Sequence, residues 1–142
     1  MIDVRRLIYL HGLESTSKSG KARQFAAKYP GMLTPDFTGP FAERMEQLLP
    51  ILGAASGWTI IGSSYGGLMG AVFALEHPDQ VRKLILLAPA LTLPEFASRP
   101  DLRPLDIPTV LIHGRQDDVV PPAPVLALAQ KVFPGLTHIP VD

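Results

Sequence analysis

The sequence predicts an α/β fold: one domain built on a doubly wound, mostly parallel sheet of about six strands. Three observations predict it. Short apolar runs rich in β-branched residues alternate with longer stretches of helical periodicity, the pattern that right-handed crossovers turn into a parallel sheet. The hydrophobic content of 46% suits strands covered by helices on both faces. The 142 residues allow one core of ordinary size and not two.

Arg5 to Leu10 reads as the first buried strand and ends at His11-Gly12. From Lys18 to Tyr29, Ala22, Phe25, Ala26 and Tyr29 recur at helical spacing until Pro30-Gly31 stops the helix. Met32 to Asp36 is a short second strand that Pro35 confines to an edge. Phe41 to Leu52 follows as a helix, with Met45, Leu48, Leu49 and Leu52 as its apolar stripe and Pro50 kinking or shortening it. Thr59-Ile60-Ile61 is the central strand, and Tyr65 to His77 a nearly all-apolar helix ended by Pro78.

Val81 to Ala88 supplies the next strand. Pro89 to Pro108 carries five prolines and forms a loop with one helical turn at most. Thr109 to His113 is another strand, Gly114 to Pro122 a loop, Val125 to Phe133 a helix and Leu136 to Val141 the last strand. Ligands of such sheets sit beyond the carboxyl ends of the strands. His11-Gly12, Ser64, Ala88-Pro89 and His113-Gly114 all fall there, so four strand ends converge on one crevice.

Composition removes several classes of function. Thirteen basic and thirteen acidic side chains cancel and lie in no long run, so neither nucleic acid nor an anionic membrane has an electrostatic foothold. The chain has no cysteine, which excludes disulfides, thiolate metal sites and a cysteine nucleophile. The first residues are too brief for a signal peptide, and the expected setting is the cytoplasm. Gln47 to Leu75 is free of charge, but Pro50, Gly53, Gly57 and the Gly66-Gly67 pair interrupt it. Helices flanking a strand explain that stretch better than a membrane span does.

The stretch that carries chemistry is Gly62-Ser63-Ser64-Tyr65-Gly66, a G-x-S-x-G pattern between a strand and a helix. A serine on so sharp a turn needs small residues two positions before and after it, and Gly62 and Gly66 supply that clearance. The turn lifts the Ser64 hydroxyl off the sheet to a helix N-terminus, where backbone N–H groups stabilise negative charge. Chance also satisfies five residues in a Gly/Ser-rich loop, so companions decide. The N–H of Tyr65, next after the serine, is one oxyanion donor by construction of the turn. The second is the N–H of Leu13, where Gly12 permits a close bend after the first strand.

With these residues in place the chain resembles the α/β-hydrolase family, most closely small bacterial esterases without a cap domain. Tyr9-Leu10-His11-Gly12-Leu13, Gly62 to Gly67 and His113 to Pro121 carry the resemblance, in the family's order. It implies a minimal core that lacks the first two strands of larger members, with the six strands in the order 2-1-3-4-5-6. It also implies that the acid of the triad is Asp117, four positions after His113, in preference to its neighbour Asp118. The catalytic histidine of the pattern falls in the loop after the last strand. The expectation is therefore a chain truncated at its C-terminus, with the base just beyond Asp142 and an apolar sheet face left bare near one edge.

The four histidines present each have a duller explanation. His11 braces the turn beside the oxyanion donors, and His77 closes a helix far from Ser64. His113 is structural, and His138 lies inside the last strand as a weak substitute base.

The connection after Ala88, roughly twenty residues, is too short for a lid domain. The crevice is expected to be open and walled by Leu13, Tyr65, Leu91, Leu93 and Phe96. The function expected is cofactor-free hydrolysis of a small carboxylic ester or thioester through an acyl-enzyme. Two rivals remain open: a non-catalytic ligand-binding module on the same fold, and a phosphate-binding or signalling domain in which G-x-S-x-G is accidental. Exposed apolar surface leaves self-association open as well.

Overall fold

Apolar, β-branched and leucine-rich runs make a five-stranded, wholly parallel sheet in the order β1-β2-β3-β4-β5. The computed structural model describes residues 2–142. The strands are β1 (Leu7–Leu10), β2 (Trp58–Ser63), β3 (Val81–Leu87), β4 (Thr109–Gly114) and β5 (Thr137–Val141). The helices are α1 (Gly20–Lys28), α2 (Phe41–Leu52), α3 (Tyr65–Glu76), α4 (Pro94–Ala97) and α5 (Pro122–Val132). No helix among the described residues is long and apolar enough to cross a membrane.

The sixth strand expected at Met32 to Asp36 is reduced to a single bridge. Leu33 donates its N–H to the Leu7 carbonyl and accepts from the Tyr9 N–H, both at 2.9 Å, on the outer edge of β1. In a parallel ladder alternate residues bond the same neighbour, so the next donor toward β1 would be residue 35. That residue is proline and has no N–H. The segment keeps the outermost position expected of it but not the length of a strand, and the sheet order becomes sequential.

The two faces of the sheet are covered unequally. Ile8, Leu10, Ile60, Leu84, Leu86 and Leu111 face the main core, closed by α2, α3 and α5. On the other face Leu7, Tyr9 and Ile61 pack under α1 through Ala22, Phe25 and Tyr29. Beyond α1 that second face thins out. Ile85 and Leu87 are half-buried, and their partners in register, Val110 and Ile112, are too. Ile139 and Val141 on β5 are exposed. An apolar face bare near one edge is therefore present, as the resemblance implies. Every residue of β5 is exposed.

Register aligns the carboxyl ends of the strands. Leu10 pairs with Gly62, Ser63 with Leu87, Leu87 with Ile112 and Gly114 with Val141. The loops that leave these residues rise side by side over one end of the sheet and build the site.

Candidate active site

The turn from β2 into α3 holds Ser64 at φ 53° and ψ −112°, a left-handed conformation that a residue with a Cβ rarely adopts. Three backbone hydrogen bonds fix it there. The Ser64 N–H donates to the Leu87 carbonyl at 2.9 Å, and the Ser64 carbonyl accepts from Ala90 at 3.0 Å and Leu68 at 3.2 Å. The flanking glycines are required by close approach. A Cβ on Gly62 would stand 2.5 Å from the Gly66 carbonyl oxygen, and one on Gly66 would fall on the Leu10 carbonyl. The side chain of Ser64 is half-buried and lines a crevice of about 530 Å³, within the size range of small-molecule sites.

The loop after β1 passes close above the serine. A Cβ on Gly12 would lie 3.6 Å from the Ser64 Cβ, so the chain comes nearest to the hydroxyl where it has no side chain. His11 secures that loop. Its Nε2 accepts from the Phe37 N–H at 2.9 Å, which leaves Nδ1 as the donor to the Gly12 carbonyl at 2.7 Å. The Gly12 carbonyl also accepts from Ser15 at 3.2 Å. In a trans peptide the Leu13 N–H points away from that carbonyl. The Leu13 N–H donates to no backbone carbonyl among the described residues, and that of Tyr65, the first residue of α3, has no intrahelical acceptor.

Asp117 sits on the loop between β4 and α5 and is held by that loop. Its Oδ1 accepts from Val120 at 2.8 Å and Val119 at 3.0 Å, and its Oδ2 lies 3.5 Å from the His113 Nε2. The Val120 N–H foremost, then the Val119 N–H and the His113 ring, keep its carboxyl below the usual range against the opposing effect of burial. Asp118 is exposed and enters no side-chain hydrogen bond among the described residues. Asp117 makes no hydrogen bond to Ser64, but Val119, Val120 and Pro121 of its loop form one wall of the crevice.

The remaining walls are Gly12 to Ser15, Ser63 to Tyr65, Ala90, Thr92 and Leu93. Leu13, Tyr65 and Leu93 thus line the crevice, whereas Leu91 and Phe96 do not. Both are fully buried in the main core, because α4 and the turn before it fold back against α3 and turn these side chains inward.

No histidine among the described residues hydrogen-bonds to Ser64. Both ring nitrogens of His11 are engaged, and the Nε2 of His113 donates to the Val120 carbonyl at 2.7 Å. His77 packs on Phe73 at the far end of α3, and His138 is exposed on β5.

Residues 11–102 match the family model described as alpha/beta hydrolase fold. The chain belongs to that family. None of the curated proteins matches it in sequence. Solved structures that share the fold include a protein of the alpha/beta superfamily from Xanthomonas campestris pv. campestris. It is 27% identical, with a TM-score of 0.77 over 96% of this chain and 85% of the other. Est1E from Butyrivibrio proteoclasticus, solved with ferulic acid bound, is 17% identical with a TM-score of 0.76, covering 96% of this chain and 79% of that one. A monoacylglycerol lipase from Paleococcus ferrophilus is 15% identical, with a TM-score of 0.72 over 95% and 83%.

Within this hydrolase fold two groups near the site escaped the sequence pattern. Ser63 accepts from the Lys21 Nζ at 3.3 Å, and burial raises the pKa of the Tyr9 hydroxyl. Arg44 of α2 is buried at 5% exposure. It donates to the Gly39 carbonyl at 2.8 Å and the Leu13 carbonyl at 3.4 Å, and its guanidinium carbon lies 5.4 Å from the centre of the Tyr65 ring. Spacing carries a trace of this: Phe41, Arg44, Met45, Leu48 and Leu52 share one helical face, with a cation among the apolar residues.

Proposed function

We propose that this chain is a serine hydrolase acting on a small carboxylic ester or thioester through an acyl-enzyme. The observation that carries the reading is Ser64 at φ 53°, a serine held in a strained turn beneath the Gly12-Leu13 loop and at the wall of an open crevice. Strain of this kind costs about 1–3 kcal/mol and persists where surrounding structure over-determines it, characteristically at functional sites.

In the proposed reaction the Ser64 oxygen attacks the carbonyl carbon while its proton passes to an imidazole, which in the family pattern is the histidine of the loop after the last strand. The carbonyl electrons move to oxygen, and the N–H groups of Leu13 and Tyr65 hold the resulting oxyanion. Collapse expels the alcohol or thiol, which takes the proton from the imidazole. Water then repeats the sequence on the acyl-enzyme and releases the acid. Asp117 orients the imidazole. The loop hydrogen bonds on its Oδ1 keep it ionised for that purpose.

The mixed lining, apolar at Leu13, Leu93, Val119 and Val120, suits a small or flexible acyl group. A cysteine-free composition supports a cytoplasmic setting. Hydrolysis of a panel of p-nitrophenyl esters and acyl thioesters tests the reading: turnover by the wild type and none by Ser64→Ala is expected. Equal turnover by both would remove it.

One observation favours a second reading, a module that binds a small ligand in the same crevice without cleaving it. No histidine among the described residues reaches Ser64. Thermal stabilisation by an ester or its acid, without turnover, would select that reading.

A further inference from the structure

Arg44 is a buried cation with no anion. No ion pair joins it to a carboxylate among the described residues, although four arginine–carboxylate pairs occur elsewhere. Its Nη1 is fully enclosed and has no hydrogen-bond partner. A buried charge left unpaired, with one N–H group unsatisfied, is costly. A polar interior group in that condition calls for a reason.

The contacts of Arg44 supply one. Its Nη2 reaches the Leu13 carbonyl and its guanidinium lies over the Tyr65 ring, so a single side chain touches both of the crevice-lining residues proposed as oxyanion donors. Its Nε anchors the group to the Gly39 carbonyl just before α2. Phe41, from the same helix, meets the Tyr65 ring edge-on with centroids 5.8 Å apart, and Arg44 is not among the residues that line the crevice. Leu13 itself is 54% exposed, so its own side chain does little to hold it. The loop is tied down by His11 on one side of the 12–13 peptide and by Arg44 on the other side of Leu13.

We propose that Arg44 is a positioning residue for the oxyanion site: it fixes Leu13 and Tyr65 from behind and carries a positive charge that meets its counter-charge only when the carbonyl oxygen of a substrate turns anionic. The proposal rests on the serine-hydrolase reading. An interaction present in the transition state and absent from the ground state accelerates the chemical step without tightening substrate binding. Arg44 therefore acts on kcat and leaves KM alone.

The test compares Arg44→Met and Arg44→Lys with the wild type and Ser64→Ala. It measures the rate of labelling by a fluorophosphonate, the kcat and KM for a p-nitrophenyl ester, and the melting temperature. Arg44→Met is expected to slow labelling and kcat by roughly 10- to 100-fold, less than the loss of a whole donor, with KM within about twofold. Its melting temperature should be unchanged or higher, because an unpaired buried cation has been replaced by an apolar chain of similar reach. Arg44→Lys keeps the charge and loses the fork, and should recover part of the rate.

A labelling rate within about twofold of wild type in Arg44→Met would overturn the proposal. So would equal losses in both variants that follow a drop in melting temperature, which is the signature of a purely structural arginine. Wild-type protein that labels no faster than Ser64→Ala would remove the hydrolase reading, and the proposal with it.

Discussion

Replacing Ser64 with glycine should make the protein more stable while abolishing its chemistry. At φ 53° and ψ −112° the Cβ of Ser64 collides with its own backbone, at a cost of about 1–3 kcal/mol. Glycine occupies that region freely, and its extra freedom in the unfolded chain offsets about 0.5–1 kcal/mol of the gain. The control is Ser64→Ala, which removes the hydroxyl but keeps the Cβ. Ser64→Gly should therefore exceed Ser64→Ala in stability by about 1–2 kcal/mol, or roughly 3–6 °C in melting temperature for a chain of this length. Calorimetric melts of the two variants under one buffer measure the difference directly. A glycine variant that melts no higher than the alanine variant would show that the turn is relaxed, and would remove strain as the mark of the nucleophile.

Further outcomes follow from the same geometry. Asp117→Asn should lose hydrolysis while Asp118→Asn keeps it, and the reverse result in an ester assay would transfer the role to Asp118. The Asp117 carboxyl is held below its usual value mainly by the Val120 N–H. Its ionised form thus stabilises the fold above the ordinary carboxylate value of about 4 and loses that contribution as pH falls through the lower folded value. Acid titration of stability should show a drop in the wild type that is smaller in Asp117→Asn. Gly66→Ala drives a Cβ onto the Leu10 carbonyl, where fixed backbone cannot yield, and should cost about 3 kcal/mol or more by chemical denaturation. Because no described histidine contacts Ser64, millimolar imidazole should accelerate ester cleavage by the 142-residue chain and leave Ser64→Ala unaffected.

What was legible in the sequence was what local physics dictates. A sharp turn after a buried strand needs glycines on both sides of Ser64, so Gly62 and Gly66 announced it. Proline at position 35 likewise announced an edge, and its missing N–H explains why the edge holds only the Leu33 bridge. A bare face near one edge is what the resemblance implies, and the structure puts it around Ile139 and Val141. The direction of side chains in the irregular stretch after β3 was not legible. Leu91 and Phe96 face the core and Leu93 the crevice, and only the way α4 folds back decides which. On α2 the buried stripe keeps Met45, Leu48 and Leu52 and differs from the expected one at a single position. Leu49 is 41% exposed while Arg44 is buried, since a charged residue reads as surface until its neighbours are known.

The measurement that bears most directly on the account is mass-spectrometric mapping of the adduct formed when the protein is treated with a fluorophosphonate. The account predicts one phosphonyl group, carried on the peptide containing Ser64 and absent from Ser64→Ala. An unmodified Ser64, or an adduct carried at another residue and retained in Ser64→Ala, would contradict it.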